Sequence, residues 1–249
     1  MKNKNKLWLY PLIVMGFVLI LTNSCKKKDD NNNNTTPINN NEIIFNPNLT
    51  YGTETDIDGN VYKTITIGTQ TWMAENLKVT KYNDDTSIPL VTDNTAWTKL
   101  TTPGYCWSNN DEATYKNTYG ALYNWHAVNT GKLCPTGWHV PADSEWTTLT
   151  TYLGGDTIAG GKLKEIGITH WRSPNTGATN SSGFTALPGG YRYNYDGSFG
   201  GMGGTGGFWS ATESGSDAWN RHLNYDNANV SRSDNSKTNA LPVRCLKDN

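Results

Sequence analysis

The chain has 249 residues, a formal net charge of −1, 35% hydrophobic residues, ten Trp, thirteen Tyr and 25 Gly. So few aliphatic side chains exclude a helical bundle, and the abundance of rings and glycines predicts a loop-rich fold with an aromatic core. No basic stripe follows the N-terminal segment, which excludes a nucleic-acid footprint.

Lys2, Lys4 and Lys6 precede an apolar run from Leu7 to Leu21, the pattern of a secretory signal over residues 1–24. The run is short for a membrane span and contains Pro11. It ends in LTNSC, which is similar to a bacterial lipobox, with Leu21 one place further from the cysteine than is usual. Cys25 is therefore expected to carry lipid and to anchor the chain to a membrane; an uncleaved anchor with an incidental cysteine is the alternative. Loss of the signal removes three lysines and no acids, leaving a charge of about −4. Residues 25–48 are expected to form the lipidated cysteine and a tether, because KKKDDNNNNTTPINNN cannot bury a core. Lys28-Asp29-Asp30 resembles the surface-export signal of Bacteroidetes-type lipoproteins. That implies an outer-membrane lipoprotein exposed at the cell surface, whereas a generic linker would leave the periplasmic face open.

The folded domain is expected over residues 49–249, with Ile43, Ile44 and Phe45 before it as a small edge strand or a plug. Asp56–Asn60 (DIDGN) reads as a turn and lacks the bidentate acid of a calcium loop. Tyr62–Ile67 alternates as a strand, Gly68-Thr69 fits a two-residue hairpin turn, and Gln70–Met73 returns as its partner. Trp97 is the expected buried anchor of the polar stretch 81–103. Ala121, Leu122, Trp125 and Val128 fall on one helical face, predicting a helix over 121–128 with His126 off the stripe.

Cys134–Trp146 (CPTGWHVPADSEW) is the densest stretch. Trp138-His139-Val140 reads as a short buried strand ended by Pro141. A helix follows, with Glu145 placed for a capping box but Ala at 142, so Asp143 or Ser144 is the expected cap. Trp146, Leu149 and Leu153 give it an apolar stripe, and Gly154-Gly155 ends it. Further on, Lys162–Glu165 reads as a short helix closed by Gly167, and Phe184–Tyr191 as a strand and turn. Tyr193–Gly207 reads as a long mobile loop, and Phe208–Thr212 and Trp219–Tyr225 as strands, the latter with Trp219, Arg221, Leu223 and Tyr225 on one side. Asn229–Arg232 and Ala240–Leu246 complete a meander. Strands, two central helices and then strands give an α+β fold with a mostly antiparallel sheet and long loops.

The motifs GALYNWHAVNTGKLCPTGWHVPADSEWTTL, AGGKLKE, FTALPGGYR, FWSATE and VRCL, in that order, resemble the Fibrobacter succinogenes major paralogous domain from about Asp56 to Lys247. The resemblance implies a secreted or surface-anchored protein, and no established activity. More distantly, the order ALYNWHAV, Cys134, WHVP, DSEW and Val243-Arg244-Cys245 is similar to C-type lectin-like domains and to the formylglycine-generating sulfatase-modifying enzyme. That likeness implies a C-type lectin-like fold and pairing of Cys134 with Cys245, leaving Cys106 buried and free. Its aromatic neighbours Tyr105 and Trp107 would raise its pKa; a reactive thiol is the alternative.

Lectin-like sites sit on the long loops before and within the C-terminal meander. The expected ligand-binding residues are therefore Tyr191, Tyr193, Tyr195, Trp219, Asn220, Arg221, Asn224, Asp226 and Asn227. Rings would stack on sugar faces while amides and Arg bond hydroxyls; Trp209 is expected in the core, and Trp219 reads equally well as core or site. The Glu-Pro-Asn triplet of calcium-dependent lectins is absent, and Trp219-Asn220-Arg221 matches its Trp-Asn-Asp partner only in the first two positions. His126, His139, His170 and His222 are scattered, without metal spacing, and no Ser-His-Asp motif is visible. Glu213, Asp217 and Asp226 read as solvated loop acids unless they converge in space. No catalytic residue, metal or cofactor is expected. The leading expectation is a binding domain for an extracellular glycan. A protein-contacting scaffold of the cell envelope is second, and an oxidase-like or hydrolytic enzyme third.

Overall fold

The computed structural model describes residues 42–249. The expected signal peptide, the lipidated Cys25 and the tether up to residue 41 lie outside the described residues. Residues 42–48, assigned to the tether, pack against the domain as a plug and form no strand. Ile44 donates its backbone N–H to Glu165 Oε1 at 2.7 Å, and the Phe45 ring meets Tyr51 edge-on at 5.3 Å.

The first half runs β1 (Gly52–Thr55), β2 (Val61–Ile67), β3 (Gln70–Met73), α1 (Asn94–Thr98), β4 (Tyr105–Cys106), α2 (Glu112–Tyr119), β5 (Leu122–Asn124), α3 (Trp125–Val128), β6 (Trp138–His139), α4 (Asp143–Tyr152) and α5 (Asp156–Leu163). The second half is all strand: β7 (Gly189–Arg192), β8 (Phe199–Met202), β9 (Thr205–Ser214), β10 (Asp217–Asn224), β11 (Val230–Ser236), β12 (Ala240–Leu241) and β13 (Leu246–Lys247). The small sheet has the order β1-β2-β3-β13-β6, and the larger follows β11-β10-β9-β7-β12-β5-β4 with β8 hydrogen-bonded to β7. All pairings are antiparallel except a short β7–β9 contact. The α+β, mostly antiparallel expectation therefore holds.

The last strand closes the small sheet, where Leu246 sits opposite both Trp72 and His139. The disulfide Cys134–Cys245 stands just before β6 and β13 and joins positions 111 residues apart, as the resemblance implied. One core cluster is aromatic: Trp72, Trp146, Phe184 and Phe208 pack with centroids 4.7–5.9 Å apart. The β2–β3 hairpin, the buried Trp97 and the strand Trp138–His139 stand where the residues predicted, although only Trp138 of that strand is buried.

Five of the predicted features differ. The helix expected over 121–128 is a strand, β5, followed by a single helical turn. Leu122–Val128 is buried almost throughout, so its helical stripe carried no directional information, and pairing of Tyr123 with Tyr105 and with Leu241 decides for strand. Helix α4 is capped by Ala142 and not by Asp143 or Ser144. Its Ala has no side-chain acceptor, so only the carboxylate half of the box forms, with Ala142 N–H donating to Glu145 Oε2 at 2.7 Å. The short helix begins earlier, at Asp156, and ends before Lys164. The loop expected over 193–207 is largely the hairpin β7–β8 and the start of β9, while in the strand and turn expected over 184–191 the strand begins only at Gly189, in the part read as turn.

Three cations hold the irregular segments. Lys164, Arg192 and Arg244 are fully buried, and none makes an ion pair among the described residues. Each instead donates to three backbone carbonyls: Thr176, Asn224 and Asn227 for Lys164; Val91, Thr92 and Gly197 for Arg192; Met73, Phe184 and Thr185 for Arg244. Loop carbonyls have no ladder partner, and leaving them buried and unpaired would cost about 1–3 kcal/mol apiece.

Candidate functional site

Tyr191 lies on β7, and Tyr193 and Tyr195 follow it in the connection to β8, where the three rings stack in a row. Tyr191 and Tyr193 meet edge-on at 4.9 Å with their hydroxyls 3.0 Å apart, and Tyr193 and Tyr195 are tilted at 4.8 Å. Tyr195, at the tip, is 68% exposed. Burial and the Tyr193 hydroxyl push the Tyr191 phenol up to about 12, so it is a neutral donor and acceptor at physiological pH. The rings lie over Gly200 and Gly201: a Cβ at Gly201 would stand 2.6 Å from the Tyr191 ring. Two glycines there leave the space that the ladder fills.

The hairpin is pinned from behind. Arg192, between the first two tyrosines, points to the opposite face, where its guanidinium lies 4.5 Å from the Trp97 ring and 4.8 Å from Phe199. Its Nε donates to Gly197 O at 2.8 Å and Nη2 to Asn94 Oδ1 at 2.8 Å, joining the hairpin turn to α1. At the tip Asp196 Oδ1 accepts from Ser198 N–H and Oγ–H. The ladder is thus held before any ligand arrives, which lowers the ordering cost of binding.

A groove of about 350 Å³ runs from Tyr191 and Tyr193 across β9, β10 and β11, past Thr205, His222, Asn224, Ser231, Asn235 and Asn239. No ionised side chain lines it. Burial pulls His222 down to about 4, so its ring is neutral. Its Nε2 lies 3.3 Å from Asn235 Nδ2, and its buried Nδ1 has no protein partner. Gly207 makes room for that ring: a Cβ there would be 3.1 Å from Nδ1. Amides, hydroxyls and a neutral imidazole beside phenol rings can hydrogen-bond a hydroxyl-rich ligand and stack on its apolar faces.

Of the residues expected at the site, Tyr191, Tyr193 and Asn224 line the groove and Tyr195 extends its ladder. The other five do not. Asn220 is fully buried and accepts from Ser233 Oγ, while Arg221 is buried in an ion pair with Asp143 at 2.6 Å. Trp219 stands on the far face of the sheet, half-buried, with the Arg232 guanidinium 3.3 Å from its ring. Asp226 and Asn227 occupy the turn beyond β10, where Asn227 O accepts from Lys164. Alternation explains the error at Trp219 and Arg221, whereas Asn220 has the parity of the groove residues but is covered further along the strand, bonded to Ser233. In β10 the odd residues Trp219, Arg221 and Leu223 face α4 or its flank, and the even ones His222 and Asn224 face the groove. His222, Ser231 and Asn235 were missed for the same reason, although His222↔Ser231 is a register pair that strict period-2 reading of both strands exposes.

The acids named as solvated do not converge. Glu213 pairs with Lys237 at 2.8 Å, and Asp217 and Asp226 flank opposite ends of β10. Cys106 is fully buried and free, and burial pushes its thiol to about 12 against the opposing pull of Arg192. At DIDGN the Asp56 carboxylate is taken up by the N–H groups of Asp58 and Asn60, the Asn60 amide and the Tyr62 hydroxyl, which makes it the hub of a turn. Among the described residues no group of three His, Cys, Asp or Glu side chains could hold a metal ion.

The model of the Fibrobacter succinogenes major domain matches residues 65–247, from within β2 to the end of β13. The chain belongs to this family. No curated protein and no solved structure matches it. The match to the Fibrobacter succinogenes major domain spans the tyrosine hairpin, the groove strands and the disulfide alike, so the groove is built within the domain itself.

Proposed function

We propose that this chain is an outer-membrane lipoprotein, anchored through Cys25 and exposed at the cell surface, whose lectin-like domain binds a glycan without catalysis. The carrying observation is the pinned tyrosine ladder beside an amide- and hydroxyl-lined groove with no ionised group. The lipobox-like LTNSC and the Lys28-Asp29-Asp30 run support the address. The lectin-like assignment draws on the order of motifs around Cys134 and Cys245 and on their disulfide. The reading requires neither metal nor cofactor, and nucleic acid is no partner for so acidic a domain.

The test is binding of the purified full-length chain in detergent to a broad panel of polysaccharides, with and without calcium. Binding is expected to be calcium-independent and to weaken about fivefold to a hundredfold in Tyr193→Ala, since loss of a stacking ring costs about 1–3 kcal/mol by analogy with base stacking. A folded protein that binds no saccharide would overturn the glycan reading. It would shift weight to the second reading, an envelope protein partner, which Trp219 stacked with the part-exposed Arg232 on the far face favours as an aromatic and arginine pair.

A further inference from the structure

Arg172 stands apart from the other arginines. Arg192 and Arg244 are buried among carbonyls, and Arg221 and Arg232 share Asp143. The Arg172 side chain has no hydrogen-bond or ion-pair partner among the described residues, although its backbone is fixed by N–H donation to Gly203 O at 2.7 Å. The side chain lies along Gly203 and Gly204, where an added Cβ would come within 3.5 Å of its Cγ and 3.6 Å of Nη1. The side chain runs beside these two successive glycines and is exposed.

The Arg172 side chain lines a second cavity of about 220 Å³, together with Ser108, Asn109, Gly201 and Tyr191. Tyr191 is common to this cavity and the groove, so the two are neighbouring compartments along one ring. Neither contains a carboxylate. In a chain with more acidic than basic side chains in its folded part, an unpaired arginine in a carboxylate-free cavity is a local exception. Its fork of donors matches the two oxygens of a carboxylate or the oxygens of a sulfate ester.

We propose that the glycan held in the groove is acidic, and that its carboxylate or sulfate group enters the second cavity to pair with Arg172. This rests on the glycan reading of the groove. The neutral groove would then hold one sugar unit by stacking and hydroxyl bonds while the adjacent cavity selects the charge on the next. Because the surrounding field is acidic, Arg172 acts at contact range and slows release more than it speeds encounter.

The experiment measures affinities of the full-length chain in detergent for oligosaccharides of polygalacturonate, alginate, hyaluronan and chondroitin sulfate. Each is set against its methyl-esterified, carboxyl-reduced or desulfated counterpart. At least one acidic ligand should bind about threefold to tenfold more tightly than its neutral form, a preference that shrinks with added salt. Arg172→Gln should bring the acidic ligand down to the affinity of that neutral form, and Arg172→Lys should fall between, at unchanged melting temperature. Tyr193→Ala should weaken acidic and neutral ligands together. A preference lost on methyl-esterification or carboxyl reduction identifies a carboxylate, and one lost on desulfation, which leaves the glucuronate of chondroitin in place, identifies a sulfate. Equal binding of charged and neutral forms, or a preference that survives Arg172→Gln, would overturn the proposal while leaving the groove reading intact. Absence of all saccharide binding would remove both.

Discussion

His139 sits between two carboxylates, with Nδ1 2.6 Å from Asp248 and Nε2 3.0 Å from Glu145. Glu145 in turn accepts the Ala142 N–H that starts α4, so one imidazole links β6, the helix N-terminus and the C-terminal tail. Partial burial pulls its pKa down, but the hydrogen bonds and charges of Asp248 and Glu145 outweigh it and leave the pKa above the ordinary value. The folded chain therefore holds this proton more tightly than the unfolded chain does. The contribution to stability is complete below the unfolded value of about 6.5 and is lost as pH rises through the higher folded value. We expect the melting temperature of His139→Gln to change less between pH 6 and pH 8 than that of the parent, which should fall through this group. Parallel profiles for the two proteins would discard the account. His139 and Asp248 are more than a third exposed and Glu145 nearly so, so solvent screening keeps the effect modest.

Helix α5 shows how an element gives up local preference for tertiary fit. Gly160 and Gly161 lie inside it, where each costs about 1 kcal/mol relative to Ala. A Cβ at Gly160 would lie 2.3 Å from Asn229 O, and one at Gly161 2.3 Å from Gly177 O. The helix is bare there because two loops lie on it, and those are the loops whose carbonyls Lys164 gathers just after the helix ends. Gly161→Ala should therefore lower stability by about 1–3 kcal/mol, despite its better helix propensity, as overpacked sites do. Chemical denaturation of the variant checks this; a more stable Gly161→Ala would mean that the 172–179 loop yields without cost. The same element explains a boundary misread from the residues alone. AGGKLKE looks like a short helix starting at Lys162, because the glycines argue against helix and only the packed loops reveal why they are tolerated.

At the scale of the molecule, the disulfide and β13 bring the C-terminal end of the chain back onto the stretch around Cys134. Closing a loop of 111 residues corresponds to about 4–5 kcal/mol in the chain-entropy model. Replacing both cysteines, Cys134→Ser with Cys245→Ser, should lower stability by up to that amount, read as a drop in denaturation midpoint with a steeper slope, because the unlinked denatured chain exposes more surface. An unchanged midpoint would show that the sheet pairing of Leu246 with Trp72 and His139 already holds the closure. Cys106 should stay unreactive toward thiol reagents in the folded protein, being buried with its pKa near 12.

The residues by themselves determined the α+β class, the β2–β3 hairpin, the strand and helix around Trp138 and Trp146, and the family. Each rests on local periodicity, turn chemistry or an ordered run of motifs, which neighbours in sequence suffice to express. They also marked Tyr191, Tyr193 and Tyr195, as aromatic residues on a segment read as one of the long loops where lectin-like sites sit. Only the tertiary structure decided that 193–207 is mostly hairpin and strand, that Leu122–Asn124 is a strand, and that Asn220 and Arg221 turn inward while His222 and Asn235 face the groove. Those outcomes depend on which distant segment pairs or packs with each stretch. Strand register fixes the face of every side chain at once, and it is set by partners far away in the chain. The three buried cations were invisible for the same reason: their acceptors are backbone carbonyls, which every residue carries and no sequence pattern marks.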